Sequence, residues 1–181
     1  MIVFSDASWG EGDTWRGGRI CWWVVCESRG IWRGAVTDLF PENLTGFRDR
    51  KTQIMAAELF GPVLALLMDW KGLEHTSAVF WIDNMSALCA LVTGSCKAPD
   101  LAGLASGMHL GLAKRSVWAW FEFVDSVANP ADGGSREGVD DDLARQLGVP
   151  LRLVSFPLLP QGFPKPLPAA WLDWWDGLGS V

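Results

Sequence analysis

Apolar residues in this chain come in short runs at its start and alternate with long helical stretches further on. Met1 to Ser8 opens with four residues that favour extended backbone and then meets a carboxylate, Asp6. The run is too short for a helix and reads as a buried strand. Arg19–Glu27 and Gly30–Thr37 are rich in β-formers and are separated by the turn Ser28-Arg-Gly30. Three strands joined by such short links must run antiparallel. The Gly-rich stretch Trp9–Gly18 lacks phosphate-loop or dinucleotide spacing and is expected to be a hairpin connection. Adjacent Trp22 and Trp23 must face opposite sides of the sheet, one in the core and one under a helix or exposed.

After a loop over Asp38–Asp49, the period changes. Thr52–Trp70 carries Ile54, Met55, Leu59, Val63, Leu66 and Leu67 at helical spacing, with Glu58 among them and Pro62 predicting a kink. Ala78–Ile82 is a second apolar run that ends in Asp, at Asp83. A strand, a crossover helix and a strand make a βαβ unit, so this strand should lie parallel to the first. Asp6 and Asp83 are then neighbours at the sheet edge where ligands collect. Two adjacent carboxylates repel unless a cation holds them.

Asn84–Val92 predicts a short helix, Asp100–Arg115 a longer one opened by Pro99, and Val117–Val124 a fifth strand. In Asn129-Pro-Ala-Asp-Gly-Gly-Ser-Arg136, Asn129 can cap a helix, Pro130 suits its first position and Asp132 its positive end. Arg136 falls four residues on, within reach of Asp132. Gly133-Gly134 predicts a loose turn, and Asp140–Leu147 continues as helix with an acidic N-terminal cluster. From Pro150 the chain turns Pro-rich and extended. Ala169–Leu178 then predicts a short amphipathic helix, expected to pack back on the domain rather than dock elsewhere. The expected division is a domain over residues 1–148 and a Pro/Trp-rich extension over 149–181.

Composition narrows the chemistry. Hydrophobic residues at 49% suffice for a substantial core. Two His among 181 residues exclude a His-rich metal site. Cys21, Cys26, Cys89 and Cys96 match no zinc pattern and read as buried free thiols of a reducing compartment. The net charge of −6 counts against a nucleic-acid binder. Two divalent cations on an acidic cluster would bring the count to about −2 and weaken that objection. With no basic leader and no run near the ~20 apolar residues of a membrane span, the expected location is intracellular, cytoplasmic or nuclear.

Four acids stand at element ends: Asp6 in FSDAS, Glu58 in MAAELF, Asp83 in WIDN and Asp132 in NPADGGSR. In this order of elements the chain resembles the ribonuclease H superfamily. The last motif resembles the RNase H domains attached to reverse transcriptases of pararetroviruses and tyrosine-recombinase retrotransposons. The resemblance covers about residues 1–148. It implies an α/β fold, an RNase H-like mixed five-stranded sheet of three antiparallel and two parallel strands flanked by helices. It also implies that Asp6, Glu58, Asp83 and Asp132 are catalytic and hold two Mg²⁺ ions, with Mn²⁺ as substitute. The implied reaction is cleavage of the RNA strand of an RNA–DNA hybrid, with a reverse transcriptase domain as partner in the same polyprotein. The rival is a non-catalytic RNase H-like scaffold of such a polyprotein. A proofreading exonuclease of similar fold expects an acid where Ser8 stands. Arg48, Arg50 and Lys51 read equally as phosphate contacts or a solvated loop, and Trp9 and Trp15 as base-stacking or core side chains.

Overall fold

The computed structural model describes residues 1–11, 16–165 and 168–177. In chain order the elements are β1 (Ile2–Glu11), β2 (Arg16–Cys26), β3 (Ile31–Leu39), α1 (Ile54–Met68), α2 (Trp70–Leu73), β4 (Ser77–Ile82), α3 (Met85–Thr93), α4 (Pro99–Lys114), β5 (Trp118–Phe123), α5 (Ala131–Glu137), α6 (Asp142–Leu147), β6 (Arg152–Leu153) and α7 (Pro168–Gly177). The sheet order is β5-β4-β1-β2-β3-β6. β1, β2 and β3 pair antiparallel, whereas β4 lies parallel to β1 and β5 parallel to β4. This is the expected mixed sheet with one addition. The two residues of β6 pair parallel with β3 and extend the sheet to six strands, from a stretch that composition marks only as extended.

The βαβ unit works through α1. Every residue from Ala56 to Leu67 is buried, as in a helix covered on all sides. Pro62 lies inside this helix, which continues past it to Met68. Its missing N–H would have served the carbonyl of Glu58, one turn earlier. At Gly61 a side chain would meet the Ser5 Cβ at 2.6 Å, so glycine lets α1 lie directly against β1 beside Asp6.

Both adjacent tryptophans are buried. Trp22 lies on the α1 side with its indole N–H 2.9 Å from Asp69 Oδ2. Trp23 belongs to a second, smaller core with Cys21, Val36, Ala131, Ala144 and Leu151 on the opposite face. Two expectations are corrected by the packing. Gly133 and Gly134 form no loose turn: both are helical in α5, where added side chains would strike Asp141 at 2.1 Å and Cys21 at 2.4 Å. Nor are the four free thiols all buried, since Cys89 is exposed.

The C-terminal segment packs back on the body, with Trp171, Trp174 and Trp175 in the main core. Its α7 lies on α4, and Arg152 binds the buried Asp69 carboxylate at 2.8 Å. Among the described residues no helix is long and apolar enough to cross a membrane. Trp15 and the Leu178 end of the last predicted helix lie outside the described residues.

Candidate metal centre

The register of the parallel pair sets the site. Ile2 faces Val79 and Ser5 faces Ile82, so the next residues on the two strands are Asp6 and Asp83. Asn84 then stops the strand and starts α3, its side chain accepting from the amides of Ser86 and Ala87. Close contact of α1 with β1 at Gly61 delivers Glu58 to the point where the β1–β4 pairing stops. Asp6, Glu58 and Asp83 each present a carboxylate oxygen, and these oxygens lie within 4.8 Å of one another. They form the one such group of acids, His and Cys among the described residues.

Asp6 and Glu58 are each only 5% exposed, and Asp83 is half-buried. Burial is the main cause that raises Glu58 to about 9, with the charges of Asp6 and Asp83 adding to it and a backbone hydrogen bond from Ala7 opposing. Asp6 rises to about 7. Burial leads again, a hydrogen bond from Ser135 opposes it, and the neighbouring Asp83 and Asp132 push further upward. Burying anions side by side is costly without a counter-charge.

The donor set fits a hard divalent cation. Glu58 Oε2 and Asp83 Oδ1 are buried and have no hydrogen-bond partner. Oxygen is the only donor type in the group, which suits Mg²⁺ or Mn²⁺ over Zn²⁺. Cys21 stands opposite Asp6 in the β1–β2 register, but burial pushes its thiol well up, and it packs in the second core.

Asp132 stands beside this group without joining it. Its Oδ1 accepts two hydrogen bonds from Arg136, from Nε at 3.1 Å and Nη2 at 2.7 Å. The expected i,i+4 partnership is thus made. Helix α5 begins one residue later than expected, at Ala131, with Pro130 as its cap. Asn129 fixes this start to the site: its Nδ2 donates to the Ser5 carbonyl at 2.9 Å and its Oδ1 accepts from the Ala131 amide at 3.1 Å.

Ser135 is the site residue that sequence reasoning passed over. Its hydroxyl donates to Asp6 Oδ2, while Ser8 Oγ donates to the Ser135 carbonyl at 2.6 Å. The available signal was spacing, since Ser135 follows Asp132 by about one helical turn. Of the basic loop, Arg50 is engaged elsewhere. It forms a two-pronged pair with buried Asp100, at 2.6 and 2.8 Å, while Arg48 and Lys51 are exposed. Trp9 is half-buried against the core and sits over Gly18. Neither histidine belongs to the acidic group, and His109 Nε2 lies 2.6 Å from the Leu91 carbonyl.

No protein-family profile matches the sequence, and no curated protein matches it. Solved structures do. RNase H1 from the halophilic archaeon Halobacterium salinarum matches with a TM-score of 0.59 at 18% identity, over 77% of this chain and 97% of that one. The chain has the ribonuclease H fold. The N-terminal RNase H domain of a Mycobacterium tuberculosis protein, solved as a fusion with maltose-binding protein, matches with a TM-score of 0.50 at 14% identity, over 82% and 97%. Within the RNase H fold, the acidic trio lies where the parallel pairing of β1 with β4 ends, while β1 itself runs on past Asp6 to Glu11.

Proposed function

We propose that the protein is a metal-dependent endoribonuclease that hydrolyses the RNA strand of RNA–DNA hybrids. The observation that carries this reading is the pair of partnerless buried oxygens, Glu58 Oε2 and Asp83 Oδ1, within a trio that includes Asp6. Such an arrangement suits cation binding. A scaffold gains nothing from three crowded carboxylates.

Asp6 and Asp83 would hold the ions between them, Glu58 would take the ion nearer the attacking water, and Asp132 would complete the set. Divalent cations held by these four acids would supply an activated water and charge neutralisation at the leaving oxygen. Ser135 holds Asp6 by its Oδ2. Asn129 holds the start of α5, and with it Asp132, against Ser5 of β1. Products of this chemistry are a 3′-hydroxyl and a 5′-phosphate. The Asn129–Arg136 motif supports a working partnership with a reverse transcriptase. Residues 1–148 are assigned the catalysis and 149–181 a bracing extension.

The test is cleavage of an end-labelled RNA–DNA hybrid with Mg²⁺, with Mn²⁺ and with chelator, against duplex DNA of the same sequence. Metal-dependent cutting of the RNA strand alone is expected, and Asp83→Asn should abolish it while its circular dichroism matches the wild type. A variant as active as wild type overturns the metal-site assignment.

A further inference from the structure

Strand β5 ends the sheet on the side away from β6, and among the described residues no strand covers its outer edge. Exposed edges are usually blunted by Lys, Pro, a bulge or a covering element. The six residues Trp-Ala-Trp-Phe-Glu-Phe carry neither Lys nor Pro, and Glu122 is their one charge. Trp118 is 81% exposed and Trp120 66%, side by side on one face of this edge.

Backbone polarity shows what the edge offers. The amides of Trp118 and Val124 bond inward, to the carbonyls of Thr76 and Ile82. By strand alternation the amides of residues 119, 121 and 123 point outward. That of Phe123 is taken by the Glu122 side chain at 3.1 Å, whose other oxygen accepts the Trp120 indole N–H at 3.2 Å. Ala119 and Phe121 remain as the outward donors, two residues apart.

We infer that β5 is a self-association edge, through which two copies of this chain join their sheets antiparallel about a two-fold axis. A symmetric antiparallel pair places residues of like parity opposite each other. With Trp120 on the axis, Ala119 of each copy faces Phe121 of the other. Each such pair exchanges both N–H···O bonds, so the four outward donors of the two copies are all used. Trp120 meets the partner's Trp120 at a non-hydrogen-bonded position, where side chains approach most closely. Trp118 lies opposite the partner's Glu122. At up to ~250 Å² for a whole Trp side chain, the exposed parts of Trp118, Trp120 and Phe123 offer about 450 Å² of apolar surface per copy. Both copies together offer about 900 Å², just under the ~1,000 Å² of a specific interface, which marks a weak, transient pair. The dimer is therefore concentration-dependent rather than obligate.

Sedimentation velocity over roughly two decades of concentration tests this, with each variant checked by circular dichroism. The wild type should shift from monomer to dimer. Trp120→Lys and Trp118→Lys change exposed side chains and should stay monomeric. Ala119→Pro deletes an outward donor without touching the bonds to β4, and should do the same. Trp32→Lys, on the far strand β3 and also exposed, should dimerise like the wild type. If the proline variant misfolds, the two lysine variants decide. A wild type that is monomeric throughout overturns the inference and leaves the edge to an extended peptide of another protein. Dimerisation that survives Trp120→Lys, or that Trp32→Lys abolishes, overturns it in favour of another surface.

Discussion

Arg136 holds Asp132 by one carboxylate oxygen, with Nη2 at 2.7 Å, and the fourth acid stands beside the trio without joining it. The guanidinium is two-thirds exposed, and a pair of that kind contributes at most about 1 kcal/mol. Arg136→Ala should therefore shift the melting temperature little. It should lower the Mg²⁺ concentration for half-maximal hybrid cleavage, because a cation leaves the site's edge and Asp132 is freed to turn inward. A metal titration of wild type and variant at one pH checks this; an unchanged or raised half-point argues that Asp132 has no part in metal binding.

The raised acids predict an unusual pH dependence for the metal-free chain. Asp6 moves from 3.8 to about 7 and Glu58 from 4.5 to about 9, with burial the leading cause for both. The folded state thus holds protons that the unfolded state has released. Stability from these groups is complete below the unfolded values and is lost as pH rises through the folded ones. Thermal melts in chelator should therefore fall from mildly acid to alkaline pH. Mg²⁺ should raise the melting temperature most at the alkaline end. Glu58→Gln removes the charge, so it should flatten the profile in chelator and lower cleavage at least about a hundredfold. A profile in chelator that rises with pH would contradict the buried-acid reading.

Asp6, Glu58 and Asp83 are legible because each ends or interrupts an apolar run whose period names its element. Parallel pairing of β1 with β4 follows from the crossover helix between them. The state of Asp132 is half-legible. Its spacing to Arg136 predicts the pair, but nothing in the spacing says that the pair wins over the metal group. Arg50 is opaque, because its partner Asp100 lies 50 residues away on a different element. Gly133 and Gly134 mislead for a related reason. Glycine marks either a flexible turn or a close approach, and only the neighbours Asp141 and Cys21 decide between them.

That long-range pair carries a prediction of its own. Burial alone would raise Asp100, but hydrogen bonds from the Arg50 guanidinium and the Arg48 amide, with the Arg50 charge, hold it at about 2. The stability it contributes is present above its ordinary value of 3.8 and is lost as pH falls toward 2. Arg50→Ala strands a buried carboxylate and should cost about 3 kcal/mol in chemical denaturation. Cleavage by the folded variant should stay near wild type, since Arg50 braces the loop before α1 rather than binding phosphate. A large rise in KM with unchanged stability would restore the phosphate-contact reading.

The C-terminal segment is seated by glycines spaced four apart on α4. Added side chains at Gly103, Gly107 and Gly111 would meet the Pro164 carbonyl oxygen at 2.1 Å, the Trp171 ring at 2.5 Å and the Trp175 ring at 2.3 Å. These positions share one face of the helix, so α4 presents a groove into which the tail packs. The Trp175 indole donates to the Gly107 carbonyl at 3.2 Å, and Lys114 pairs with Asp176 at 2.8 Å. A methyl group has no room in such contacts, and overpacking costs about 1–3 kcal/mol. Gly107→Ala and Gly111→Ala should each destabilise the protein by that amount, although alanine favours an isolated helix by up to about 1 kcal/mol. Removing residues 149–181 takes away Arg152 and the three buried tryptophans, leaving Asp69 without its guanidinium and α4 without its cover. The truncated chain should lose more stability than either glycine variant and bind an apolar dye. Denaturant melts of the three proteins check this order, and a truncated chain as stable as the whole would show that the tail is only laid on the surface.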